Sequence, residues 1–202
     1  MQFLELAAQR KRGLNWDAVR DNNQGDPSIQ TVDLSQFPLR FPDNYYDGVF
    51  SDHFIEHIYK YQGIKLFEEL LRILKPGGTV RTTWPAYDFV ERLVSDEDMS
   101  EHPFVKYYYP RYCVQEPFQP RPKANRKKRI QEQCALGLLH QKGEHVYLWG
   151  KQEMIDTLKS LGYNNVTERE YGVSPIPEFN GVDNPSQIRA MHSTVVEASK
   201  RW

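Results

Sequence analysis

YQGIKLFEELLRILKPGGTVRTT, residues 61–83, changes its hydrophobic period halfway along. Ile64, Phe67, Leu71 and Leu74 recur at helical spacing, and Leu66, Leu70 and Ile73 widen the stripe, so the spacing predicts an amphipathic helix. Arg72 and Lys75 fall in its last turn, where positive charge complements the carbonyl end of the helix dipole. Pro76-Gly77-Gly78 then stops the helix, and Thr79–Thr83 reads as a strand. Helix, Pro-Gly-Gly, strand is the second half of a βαβ unit, which predicts an α/β fold with a mostly parallel sheet.

Upstream, Phe3–Leu6, Leu14–Val19, Ile29–Leu34 and Tyr46–Ser51 are apolar segments of strand length, separated by turn-favouring stretches such as DNNQGDPS and FPDN. Downstream, Lys151–Leu161 reads as a second amphipathic helix ending at Gly162, followed by strands at Val166–Tyr171 and Ser193–Ala198. Residues 95–145 fit neither period and read as an irregular insert, rich in tyrosine, proline and base. At 202 residues the chain is expected to form a single domain, 1–202, that carries this insert.

Twenty-six basic against 27 acidic residues leave no global field, so a general polyanion-binding surface is not implied. The local exception is 121–129, where Arg121, Lys123, Arg126, Lys127, Lys128 and Arg129 follow Tyr107–Tyr109, Tyr112 and Phe118. A phosphate-bearing acceptor or a nucleic acid would suit such a run, but a solvated loop is the favoured reading. Cys113 and Cys134 lack the spacing of a zinc site, so no metal is expected and a reducing compartment is. With no signal-peptide order and no apolar run of ~20 residues, the chain reads as cytoplasmic and without a membrane partner.

DLSQFPLRFPDNYYDGVFSDHFIEHI (33–58), followed by LFEELLRILKPGGTVRTTWP (66–85), resembles the S-adenosylmethionine-dependent methyltransferases of the seven-stranded Rossmann-like type. GEHVYLW, LKSLGYNNV, YGVSPIPEF and VVEASK further resemble a small-chain branch often linked to polysaccharide biosynthesis. The resemblance implies S-adenosylmethionine as cofactor and a small-molecule or glycan-type acceptor. It also implies site residues: Asp17 on the ribose, Asp33 and Leu34 at the adenine, and Ser51, Asp52 and His53 at the end of the fourth strand. His57 and His145 become the candidates to take an acceptor's proton; the plainer alternative makes His53 and His57 ordinary helix-start residues with Glu56 a solvated neighbour, and His145 a partly buried structural histidine. The chain departs from the family at its first turn, where LELAAQ puts Ala7 and Gln9 in place of two glycines. Ala7 is accommodated if its φ is negative; Gln9 would crowd the cofactor and weaken or abolish its binding. Two functions follow: a methyltransferase, or a catalytically inactive methyltransferase-like binding or regulatory subunit.

Counting adds an expectation about assembly. Seven residues (7–13) join the first two strands and 20–28 join the next two, fewer than the dozen or more that a helical crossover needs. With no helix before the first strand either, one sheet face should lack its helices and be covered by 95–145 or by another chain. A homo-oligomer or a partner subunit is therefore expected.

Overall fold

The computed structural model describes residues 1–10, 12–21, 25–95, 97–113 and 126–202. Its strands are β1 (Phe3–Leu6), β2 (Trp16–Arg20), β3 (Gln30–Thr31), β4 (Tyr46–Asp52), β5 (Leu74–Pro85), β6 (Asn164–Glu168) and β7 (Ser193–Ser199). They form one sheet in the order β3-β2-β1-β4-β5-β7-β6. The first five run parallel, and β7 lies antiparallel between β5 and β6. The helices are α1 (Lys60–Ile73), α2 (Tyr87–Val94), α3 (Pro103–Tyr108), α4 (Arg126–His140), α5 (Lys151–Ser160) and α6 (Gln187–His192). This is the expected mostly parallel, Rossmann-like seven-stranded sheet, and none of the helices among the described residues is long and apolar enough to cross a membrane.

Because side chains alternate along a strand, each face of the sheet has its own core. Leu4, Leu6, Val49, Val80 and Val196 point to one face, where α1 lays down Leu66, Phe67, Leu70 and Ile73 and α5 adds Met154 and Leu158. Phe3, Trp16 and Phe50 form a separate cluster with Phe179 and Val182. No helix occurs among the described residues of the β1–β2 or β2–β3 links, as the residue count predicts. The cover on that second face comes from residues 170–186, and this corrects the expectation that 95–145 or a second chain supplies it. Phe179 is fully buried, with its ring 5.8 Å from Phe3 and 6.3 Å from Trp16. Gly48 makes room for it: a Cβ there would sit 2.7 Å from both Phe179 Cζ and Phe3 Cε1.

A buried arginine fastens the same segment. Arg81 of β5 donates from Nε to Asp183 Oδ1 at 2.8 Å, from Nη2 to Asp183 Oδ2, and from Nη1 to Glu197 Oε1 at 2.8 Å and to the Val173 carbonyl at 3.0 Å. Asp183 Oδ2 also accepts from Gly172 N at 2.6 Å, so both ends of the segment are tied to one guanidinium.

The described part of the insert is largely helical, a second correction. Phe89, Leu93, Phe104, Val105, Cys134 and Leu138 of α2, α3 and α4 form their own core, joined by Ile188 and Met191 of α6. Within the insert, α3 with its 6 residues is too short to establish a period against the surrounding tyrosines and prolines. The basic run partly opens α4, where Lys127 pairs with Asp98 at 2.9 Å; Arg121, Lys123 and Phe118 lie outside the described residues.

Candidate active site

The carboxyl ends of β1 and β4 open onto a crevice of about 440 Å³, lined among others by Glu5, Ala7, Gln9, Arg12, Asp52 and Asp183. Ala7 has φ +51°, so the turn takes the left-handed conformation that a glycine would supply, and the condition of a negative φ at this alanine is not met. Buried Ala8, packed with Ala18 and Ile29, anchors the turn, while Gln9 is exposed at the rim. The lining carries both signs. Arg12 donates to both carboxylate oxygens of Glu5, at 2.8 and 2.9 Å, and lies 5.0 Å over the Phe50 ring. Burial still raises the Glu5 carboxyl above its usual range, against the pull of Arg12. Replacing Ala7 by glycine is expected to stabilise the fold by roughly 1 kcal/mol, the left-handed penalty of a Cβ. Urea unfolding measures this, and a loss of stability would contradict the left-handed turn.

Asp17 does not reach this edge. It is the second residue of β2, opposite Leu4, on the helix-covered face, where its Oδ2 accepts from Tyr46 Oη at 2.9 Å. Burial, then the Asp17 carboxylate, raises the Tyr46 phenol so that it stays a donor. The acid at the carboxyl end is Asp21, exposed, with Oδ1 accepting from Leu34 N at 3.2 Å. The sequence reading put the strand at Leu14–Val19, whereas β2 runs Trp16–Arg20, so Asp21 is the first residue after the strand. Asp33 is exposed, and its Oδ1 accepts from Ser35 N at 2.9 Å and Ser35 Oγ at 2.6 Å, which holds its carboxyl below the usual range. It lines a cleft of about 340 Å³ with Gln36 and Leu39, whereas Leu34 is buried in the main core and does not line it.

At the end of β4, Ser51 Oγ is buried without a hydrogen-bond partner, opposite Thr82 Oγ1 in the same state. Asp52 accepts from Thr83 Oγ1 at 2.6 Å and from Arg189 Nη1 at 2.8 Å. His53 sits at φ +51°, a strained conformation for a bulky residue, with Nε2 2.7 Å from Ser193 Oγ. Burial pushes its imidazole down to about 3, so it is neutral at physiological pH. His53 and Arg189 face a second cavity of about 470 Å³, whose other walls include Tyr107, Tyr108, Tyr112 and His145. Asp52 lines the first cavity and Arg189 the second, so their ion pair stands between them.

His57 and His145 are far apart in sequence and adjacent in space, with ring centroids 5.0 Å apart. The backbone makes this happen. Residues Ile55–His57 form a 3-10 turn whose Glu56 carbonyl accepts from Val146 N at 2.7 Å and Tyr147 N at 3.1 Å. His57 Nδ1 meets the Glu144 carbonyl at 2.9 Å, and His145 Nδ1 meets the Leu138 carbonyl at 2.5 Å. A carbonyl only accepts, so each Nδ1 carries the hydrogen, and in the neutral ring each Nε2 carries a lone pair. Burial holds the His145 imidazole below its ordinary value, in the neutral form. Between them lies Glu56, which the sequence reading left in solvent. It is fully buried, neither carboxylate oxygen has a hydrogen-bond partner, and burial pushes its carboxyl up to about 7.

Residues 6–82 match the methyltransferase domain family. Over 85 residues the chain is 34% identical to the sterol 24-C-methyltransferase erg-4 of Neurospora crassa, an alignment covering 42% of this chain and 20% of that enzyme. The chain thus spans about a fifth of the length of the curated relative it matches. A SAM-dependent methyltransferase from Archaeoglobus fulgidus has a similar structure, with TM-score 0.59 and 15% identity over 98% of this chain and 86% of that one. A putative methyltransferase of Haloferax volcanii, solved in complex with the Trm112 methyltransferase activator, gives TM-score 0.51 and 13% identity over 100% and 83% of the two chains.

Proposed function

We propose that this chain, an S-adenosylmethionine-dependent methyltransferase-like protein in its matched segment and its whole fold, moves a methyl group from that cofactor to a small polar acceptor. The reading rests on one observation: two cavities at the carboxyl edge of the sheet, separated by the Asp52–Arg189 ion pair. The first has the chemistry to hold the cofactor. Asp21 offers a carboxylate for a ribose diol, because it accepts from two hydroxyls. Arg10 and Arg12 against Glu5 and Asp52 match the opposite charges of an amino-acid group. Ala7 keeps the glycine-like backbone path with only a methyl added. When bound, the cofactor supplies an electrophilic methyl group. The second cavity is of small-ligand size, and its tyrosines suit the flat faces of a sugar or similar acceptor. An acceptor hydroxyl would be activated at the wall that carries His145.

Calorimetry with S-adenosylhomocysteine tests the cofactor side. Asp21→Ala is expected to weaken binding ~10- to 100-fold, the ~1.5–3 kcal/mol of hydrogen bonds to a charged group. Asp17→Ala should leave affinity unchanged; the reverse order would place the ribose elsewhere. A second reading, a non-catalytic subunit, draws on Gln9 at the rim and on the Arg12–Glu5 pair already closed within the crevice. Absence of binding at millimolar ligand would favour it. Work alongside a partner subunit or a second copy belongs to the same proposal, supported by the activator-bound Haloferax neighbour and tested by light scattering. Two free cysteines, Cys113 and Cys134, support a cytoplasmic location.

A further inference from the structure

We propose that Glu56, His57 and His145 form a binding site for one divalent transition-metal cation of the zinc type. One ligand atom from each residue lies within 4.8 Å of the others. Donors at ~2.0–2.2 Å from a tetrahedral ion lie about 3.4 Å apart, so the three need only close by side-chain rotation.

Three features make this arrangement a site and not a chance meeting of side chains. First, the lone pairs face a common point. Both imidazoles spend their Nδ1–H on backbone carbonyls, which leaves each neutral ring an Nε2 lone pair for a cation, and the ionised Glu56 carboxylate offers its oxygens to the same ion. Second, that carboxylate is completely buried with both oxygens unpartnered; the nearest imidazole nitrogens are His53 Nδ1 at 3.3 Å and His57 Nε2 at 4.0 Å. Burying a carboxylate is costly unless something pairs with it, and a cation is the partner that answers all three groups at once. Third, an Nδ1–H held by a backbone carbonyl is how metal-binding histidines are usually oriented. Two imidazoles with one carboxylate suit zinc or ferrous iron, whereas calcium and magnesium prefer all-oxygen shells.

Three protein ligands leave a fourth position open. His145 belongs to both the cluster and the 470 Å³ cavity, so a ligand in that cavity could complete the shell. Ion binding stands apart from methyl transfer and is measured without it.

The experiment strips the protein with a chelator, then titrates it with Zn²⁺ by calorimetry and with Co²⁺ by visible absorption. The expected result is one ion per chain, micromolar or tighter, with the ligand-field bands of a four- or five-coordinate Co²⁺. His57→Ala, at a partly exposed position that should tolerate the change, is expected to weaken binding at least about 100-fold, more than loss of a supporting shell residue does. His145→Ala should do the same, and His140→Ala, at an exposed histidine outside the cluster, should bind as the parent does. No binding at ~1 mM Zn²⁺, or parental affinity in both His57→Ala and His145→Ala, would overturn the site.

Discussion

Replacing Arg81 by alanine is expected to lower the unfolding free energy by ~3–5 kcal/mol, the cost of removing one member of a buried ion cluster. The guanidinium is fully buried and holds two carboxylates, Asp183 and Glu197, which are 5% and 2% exposed. Without it, Asp183 loses its cation in the interior, Glu197 keeps only Arg169, whose Nε donates to Oε2 at 2.8 Å, and residues 170–186 lose the anchor that ties Val173 and Asp183 to β5. Urea denaturation measures the loss, and limited proteolysis should show cleavage within 170–186 before the rest of the chain. Adding Asp183→Asn and Glu197→Gln to Arg81→Met should recover part of the stability, because the charges go together with their partner. A loss under ~1 kcal/mol for Arg81→Ala would mean that water or another group compensates, and that the segment is held mainly by its apolar contacts.

Those contacts carry the second large effect. Phe179→Ala is expected to cost ~3–5 kcal/mol, combining lost transfer energy with the hole left between Phe3, Trp16 and Phe50. The ring is the apolar cover of a sheet face that has no helix from the first two links, so the face has little else with which to fill the space. Gly48 offers a specific control. Gly48→Ala should destabilise the parent, since its Cβ would meet the Phe179 and Phe3 rings at 2.7 Å. In a Phe179→Ala background one of those two obstructions is gone, so the same change should cost less. Equal costs in both backgrounds would show that Phe179 does not press on β4.

What was legible in the sequence was whatever a single element fixes for itself. Ile64, Phe67 and Leu71 mark one helix face whatever surrounds them, and α1 lies where they place it. The stop comes earlier than the sequence placed it: α1 ends at Ile73, Leu74 is already extended, and Lys75 and Pro76-Gly77-Gly78 belong to the start of β5, with Gly77 at φ +78°. The residues between β1 and β2 are too few for a helical crossover in any context, and no helix occurs among the described ones. The absence of helices on one face followed from chain length; its cover did not, because nothing local marks Phe179 or Arg81 as belonging to that face. An arginine in a strand reads as solvent-facing until a carboxylate 102 residues away closes on it.

The site divides in the same way. His57 and His145 could be singled out by type and register, but their 5.0 Å separation depends on backbone hydrogen bonds between residues 56–57 and 144–147. Asp17 and Asp21 differ only by where β2 ends, a boundary set by pairing with β1 and β3. Glu56 shows the difference most clearly, since its sequence neighbours are compatible with a solvated helix start. By itself the sequence determined the parallel α/β sheet, the helix behind it and the missing crossover helices, because period, turn chemistry and reach are local properties. Only the tertiary structure decided that Glu56 is buried beside the imidazoles, that Asp21 and not Asp17 lies at the carboxyl end of β2, and that 170–186 closes the sheet. Burial and charge pairing belong to groups brought together across the whole chain, and no stretch of sequence contains them.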